Sequence, residues 1–289
     1  MTFDDFRVAP ECFPCFLKQV IISLNQTGLE SHEKIGIIKS ILKDIQETDI
    51  SESPAHSTTF MHRRIRQLLG TDPFKDIKKR YNQIGLSLYE ELKEIVKGSP
   101  DPLLTATRLA IAGNSIDFGI YSTVDIEAEI RRALKEDLAW DDYGKFRASL
   151  EGAESLLYLL DNAGEIVFDR ILIEELVERG ISVRAVVKGS PVINDATLED
   201  ALQTGIDRVS EVITNGSDCI GTILKWCSKE FQEVYNNSSL IISKGQGNFE
   251  TLCHEERQIF FLFQSKCEVV SRFIGVKSGS MMLIQGGSE

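Results

Sequence analysis

The sequence predicts an α/β protein: a mainly parallel, doubly wound three-layer sheet with an N-terminal helical domain. Three observations carry this. Residues 11–98 show apolar positions at helical spacing, with no strand pattern among them. From Ser155 onward short apolar runs alternate with helical stretches. The hinge of that change is Ser155–Asp169, where Leu156 to Leu160 run into Asp161-Asn162-Ala163-Gly164-Glu165 and then into Ile166, Val167, Ile171 and Leu172. That is a buried strand entering a helix through a tight polar turn.

In order, the first apolar stripe is Phe16, Leu17, Val20, Ile21 and Leu24, and the second Ile35, Ile38, Ile41, Leu42 and Ile45. A Ser/Pro-containing loop at 51–57 precedes Ile65, Leu68 and Leu69, and Pro73 opens a further helix through Ile95. Gly98-Ser99-Pro100 then punctuates the chain. Residues 1–100 are expected to form a helical bundle or cap, and 101–289 an α/β domain binding metal and phosphate. An apolar helix at 103–112 leads into a loop at 113–119, and acidic helices are expected near 123–136 and 141–152. Strands are expected at 155–160, 181–187, 209–213, 239–243, 258–263 and 280–285. Helices between them are expected at 165–179, 197–204, 219–235, 248–254 and 266–274.

Net charge is −12 over 289 residues. The first hundred residues carry 14 Lys/Arg and 14 Asp/Glu, so the whole surplus falls in the second part. A nucleic-acid footprint needs the opposite sign, so a small substrate fits better than a nucleic acid. No apolar run approaches the roughly 20 residues of a membrane span. The N-terminus lacks a secretory h-region. A cytoplasmic location is expected, with no membrane partner. The sequence leaves the oligomeric state open. Six cysteines in such a chain do not suggest a disulfide framework.

The chemistry collects at strand ends, which in a parallel sheet share one rim. They are Asp161-Asn162, Lys188 through Asp195, Thr214 through Asp218, Ser243 through Asn248, and Gln264-Ser265-Lys266. Asp161, Asn162 and Asp195 are hard oxygen donors suited to a divalent cation. Lys188, Lys244 and Lys266, with the amides around Gly245, Gln246, Gly247 and Asn248, suit phosphate oxygens. Together they are the equipment of phosphoryl transfer or hydrolysis. No GxxxxGK[ST] and no GxGxxG follows a strand, which weakens kinase and dinucleotide-dehydrogenase readings.

GNSIDFG at 113–119, LLDNAGE at 159–165, KGSPVINDAT at 188–197 and KGQGNFETL at 244–252 occur in this order. With CFPC at 12–15, the chain resembles the short microbial branch of the DUF89 family, metal-dependent damage-control phosphatases related to acidic residue methyltransferase 1. The resemblance implies a divalent metal (Mn²⁺, Ni²⁺, Co²⁺ or Mg²⁺) and hydrolysis of sugar phosphates or damaged phosphometabolites. It implies Asp161, Asn162 and Asp195 as metal ligands, and the 244–248 loop with Lys266 around the phosphate. Asn114 and Asp117 match a family motif, Asn114 as a substrate contact. Asp161 or Asp117 would act as base or nucleophile. Two other readings stand beside hydrolysis: methyl transfer from S-adenosylmethionine to carboxylates, and a non-catalytic metal- and sugar-phosphate-binding regulator.

Cys12 and Cys15 allow three roles: structural thiols, a redox pair, or a metal-binding or near-site position. His56, His62, Arg63 and Arg64 form a basic cluster in the cap. It reads either as a solvated helix face or as a group reaching over the rim toward an anion.

Overall fold

The computed structural model describes residues 3, 6–115 and 126–287. The helical part holds α1 (Cys12–Asn25), α2 (Ser31–Gln46), α3 (Pro54–Leu69), α4 (Lys75–Lys97) and α5 (Pro102–Ser115). Then come α6 (Ile126–Lys135), a two-residue β1 (Trp140–Asp141) and α7 (Tyr143–Leu150). The alternating part is β2 (Ser155–Leu159), α8 (Glu165–Glu178), β3 (Ser182–Val187), α9 (Leu198–Thr204), β4 (Glu211–Thr214), α10 (Lys229–Asn237), β5 (Ile241–Lys244), α11 (Gln246–Leu252), β6 (Ile259–Gln264), α12 (Glu268–Ile274) and β7 (Met281–Gly286).

The sheet order is β1-β7-β6-β5-β2-β3-β4, and only the β6–β7 pair is antiparallel. After β2 the chain builds outward through β3 and β4, then crosses back to lay β5 on the other side of β2. The strand order therefore reverses between β2 and β5, and a crevice opens there at the carboxyl ends of the strands.

Alternation along β2 shows the layering. Leu156, Tyr158 and Leu160 face a core shared with α4 to α9, whereas Leu157 and Leu159 face one shared with α10 to α12. A third core, built on Phe16, Val20, Leu24, Ile41, Met61 and Ile65, holds α1 to α3 together. The expected division at residue 100 does not coincide with this packing. Leu92 and Val96 of α4 belong to the sheet core, so by contact the small helical unit ends with α3.

Two expected elements differ. The helix expected over 219–235 is irregular chain with a short 3₁₀ turn at Leu224–Trp226, and α10 begins only at Lys229. Ser228 accepts a hydrogen bond from the amide of Phe231 there and caps the new helix. The helix expected to stop at 112 continues to Ser115, which places Asn114 on α5 instead of in a loop.

Gly85 lets α4 lie against the start of α8. A Cβ at this position would meet the Gly164 carbonyl oxygen at 2.8 Å and a Val167 methyl at 2.9 Å. Ala normally gains about 1 kcal/mol over Gly inside a helix. Here the overlap dominates, and Gly85→Ala should lose about 1–3 kcal/mol of stability in urea unfolding. A stabilised variant would refute the tight α4–α8 contact.

Candidate active site

The β2–β5 crevice is one wall of a cavity of about 410 Å³. Asp161, Asn162, Asn194, Asp195, Gln246, Gly247 and Lys266 line it from the strand ends. Cys12, Cys15, Phe16 and Gln19 of α1 and Pro54, Ala55 and Thr58 of α3 line it from the helical unit.

Backbone pairing joins the two acidic segments. Ala163 N donates to Asn194 O at 2.8 Å, Ala196 N donates to Asp161 O at 2.7 Å, and Asn162 and Asp195 form an antiparallel bridge. Ile193, just before, sits at φ +42°. That is an uncommon conformation for a β-branched residue, and it bends the loop into the crevice.

Asp161 is held by two amides: Asn114 Nδ2 at 3.0 Å and Asn162 Nδ2 at 2.6 Å. Both amides also donate to Glu165. Gly245, at φ +83°, leaves the space this carboxylate needs, since a Cβ there would overlap Asp161. Burial, with the charges of Glu165 and Asp195 beside it, holds Asp161 well above the usual carboxylate range. Asp195 is 5 % exposed, and burial pushes it up to about 6 against the pull of Lys188. Its Oδ2 has no hydrogen-bond partner, although Lys188 Nζ lies 3.3 Å away.

Beneath the rim, Lys244 is 0 % exposed. Its ammonium donates to Glu165 Oε1 at 2.8 Å, Asp169 Oδ1 at 2.6 Å and Ala110 O at 2.8 Å. Burial would raise Glu165, but Lys244 and then Lys266 outweigh it and hold this carboxyl below its ordinary range. Asp169 is pushed up to about 7, chiefly by burial, with Lys244 opposing.

Several expectations change. Lys244 is no phosphate contact: its donors are consumed inside the protein. Asn248 is also fully buried, donating to Lys244 O and accepting from Thr222 Oγ1. Lys188 is 4 % exposed and spends its ammonium on Asp195 and the Gly221 carbonyl. Asn114, 1 % exposed, orients Asp161 instead of facing the cavity. Asp117 lies outside the described residues. Asp161, Asn162, Asp195, Gln246, Gly247 and Lys266 are brought together, and Lys266 is exposed. Gly245 stands behind Asp161.

The cap cations do not line this cavity. Arg63 and Arg66 both pair with Asp218, and Arg63 also lies 4.9 Å from the Trp226 ring centroid. His62 is buried against Gln19, and burial drives its pKa down to about 3. His56 stacks on Trp226. These contacts, with the amide of Ile220 donating to Thr59 Oγ1, seat α3 on the sheet domain. Cys12 and Cys15 hold the near-site position, one buried and one exposed, both as free thiols.

Sequence reading assigned no role to Glu165, Asp169 or Glu250. For the first two a signal existed: acids four residues apart that bracket the apolar run Ile166-Val167-Phe168 face the core and need a buried cation. Glu250 of α11 also lines the cavity.

An α/β sheet with a small-molecule cavity at its switch point, walled by carboxylates, an amide and a lysine, defines the class of this protein. The chain belongs to the family described as the damage-control phosphatase ARMT1-like domain, whose model matches residues 8–282. It is 38% identical over 295 residues to an uncharacterized protein of Methanocaldococcus jannaschii, covering 98% of this chain and 96% of that one. It is 35% identical to a damage-control phosphatase of Archaeoglobus fulgidus, with 96% and 98% covered. A crystal structure of a DUF89 family protein from Pyrococcus horikoshii superposes with a TM-score of 0.88 at 32% identity, covering 97% of this chain and 99% of that one. Among the described residues no helix is long and apolar enough to cross a membrane.

Two predictions follow from the buried charges. Lys244→Met strands Glu165 and Asp169 without a cation and should cost about 3–5 kcal/mol in urea unfolding. Wild-type stability in that variant would sink the account. Burial pushes Glu250 from 4.5 up to about 7, against the hydrogen bond from Gln246. The folded state therefore binds this proton more tightly than the unfolded chain. That stabilisation is complete below pH 4.5 and is lost as pH rises through about 7. Melting curves from pH 5 to 8 should show wild type losing stability relative to Glu250→Gln. Parallel curves would refute it.

Proposed function

We propose that this protein is a metal-dependent phosphatase that hydrolyses small phosphomonoesters, the sugar phosphates or damaged phosphometabolites of cell metabolism. The observation that carries the reading is the meeting of Asp161, Asn162, Asp195 and Lys266 in one cavity of about 410 Å³. Two relatives named damage-control phosphatase, at 35% and 34% identity over nearly the whole chain, support it.

The donor set fits a divalent cation. Among the described residues Asp195 Oδ2 makes no hydrogen bond and meets only the Lys188 ammonium as an ion pair at 3.3 Å, and Asn162 spends its Nδ2 on Asp161 and Glu165, so its carbonyl oxygen stays open. The raised pKa of Asp161 marks a crowd of carboxylates that a cation would relieve. Among the described residues no three His, Cys, Asp or Glu side chains gather around one point, so the set is two carboxylates and an amide. Oxygen donors suit Mg²⁺ and Mn²⁺ and also accept Co²⁺ or Ni²⁺. When bound, such an ion supplies Lewis-acid polarisation of the phosphoryl group and a lowered water pKa.

The chain's own residues do the rest. Lys266 neutralises charge on the phosphoryl oxygens, and Gln246 and Gly247 form the wall beside it. Asn114 fixes the Asp161 carboxylate. Either Asp161 or Asp117 takes the proton of the attacking water as the P–O bond to the alcohol breaks and the alcohol leaves with a proton from solvent, or it attacks phosphorus itself, expelling the alcohol and leaving an acyl phosphate that water then hydrolyses. Helices α1 and α3 supply the wall opposite the strand ends.

The test is phosphate release from a panel of phosphomonoesters by chelator-stripped protein given Mg²⁺, Mn²⁺, Co²⁺ or Ni²⁺ singly. At least one ion should restore turnover, and Asp161→Ala should lower it by about 10²-fold or more while circular dichroism stays native. Turnover in Asp161→Ala at a substantial fraction of wild type would overturn the assignment.

A further inference from the structure

We propose that Glu250 selects the alcohol part of the ester, accepting a hydrogen bond from its hydroxyl or amine and turning away a second anion. The inference rests on the phosphatase reading above and names the substrate chemistry of that same cavity.

Glu250 is 8 % exposed and borders open space on two sides, the cavity just described and a neighbouring one of about 360 Å³. Among the described residues its one hydrogen-bond donor is Gln246, whose Nε2 lies 2.8 Å from Oε1. No cation among the described residues pairs with it. A buried carboxylate with a structural role carries a countercharge or several N–H donors, as Glu165 does here. Glu250 lacks both, so its second oxygen is an open acceptor inside a ligand-sized space.

The neighbours fix which end of a substrate meets it. Gln246 Oε1 accepts the amide of Lys266 at 2.8 Å while Gln246 Nε2 donates to Glu250. One side chain thus spans the distance between the backbone of the phosphate-facing lysine and Glu250. With phosphate at Lys266, the alcohol part extends toward Glu250. Around the cavity Asp161, Asp195, Glu11, Glu250 and Glu268 are acidic, and Lys266 is the one basic residue among those described. Lys188 pairs with Asp195, and Arg272 with Glu11. Among the described lining residues, none besides Lys266 is positive to receive a carboxylate or second phosphate. Above about pH 7, where Glu250 has given up its proton, a donor-bearing neutral or cationic group satisfies it, whereas an anion meets like charge.

The experiment uses the metal-restored full chain at pH 8 and two esters with one skeleton, glycerol 3-phosphate and 3-phosphoglycerate, which differ by a hydroxymethyl against a carboxylate. A third ester, p-nitrophenyl phosphate, lacks an aliphatic donor and a second charge. Wild type should favour glycerol 3-phosphate over 3-phosphoglycerate in kcat/KM by about tenfold or more. Glu250→Gln keeps an acceptor without charge and should narrow that ratio severalfold. Glu250→Leu should lower glycerol 3-phosphate turnover relative to p-nitrophenyl phosphate in the same variant. In wild type alone, glycerol 3-phosphate should also be the stronger competitor of p-nitrophenyl phosphate turnover, which needs no variant to fold. Turnover of p-nitrophenyl phosphate with equal preference for the two glycerol-type esters, unchanged in the variants, overturns this inference alone. Failure to hydrolyse any ester with any metal overturns the phosphatase reading and this inference with it.

Discussion

A single buried ammonium holds the site in place. Lys244, at the end of β5, bonds to two carboxylates of α8 and to the carbonyl of Ala110 on α5. The three elements that meet at the switch point are thereby joined by charge as well as by apolar packing. Replacing such a group by an apolar one in isolation leaves uncompensated acids, which is why it carries more weight than a surface pair. Everything at the rim is built on it. Glu165 receives the amides of Asn114 and Asn162, those amides hold Asp161, and the next residue, Gly245, leaves room for the Asp161 carboxylate.

The second constraint is the way the cavity is closed. Its floor belongs to the sheet and its roof to α1 and α3, which have their own apolar core. Roof and floor meet through Arg63 and Arg66 on Asp218 and the Ile220 amide on Thr59, beside Phe60 and His56 against the Trp226 ring and Val269 against the helical core. Arg63 and Arg66 thus serve docking, while His62 is buried inside the helical unit and Arg64 faces solvent. The CFPC segment supplies roof, with Cys12 turned inward and Cys15 exposed.

Much of this was legible in the sequence, for reasons of period. The alternation after Ser155 placed six strands within about two residues of their observed limits, because buried parallel strands and amphipathic helices leave unlike patterns. The short β1, paired to β7 over two residues, left no pattern to find. The 219–228 segment was apolar enough to pass for helix, yet Gly221 sits at φ +65° and the chain turns there. In the site, residue types at strand ends indicated metal and phosphate chemistry, but depth was hidden. Lys244 follows Ile242 by two positions in a strand, and Ile242 packs in the core toward α8. Alternation alone therefore puts Lys244 on the α8 side, opposite two acids, and a strict reading of period would have buried it. Asn248, in the first turn of α11, and Lys188, one residue past β3, could not be separated that way, since strand alternation covers neither position.

Because roof and floor draw on different cores, they can diverge at different rates. A change at Cys15, Gln19 or Thr58 reshapes the volume available to a substrate without entering the sheet packing that aligns Asp161 and Asp195. A lineage carrying this architecture can reshape the cavity through α1 and α3 while the wall that carries Asp161, Asn162 and Asp195 stays unchanged.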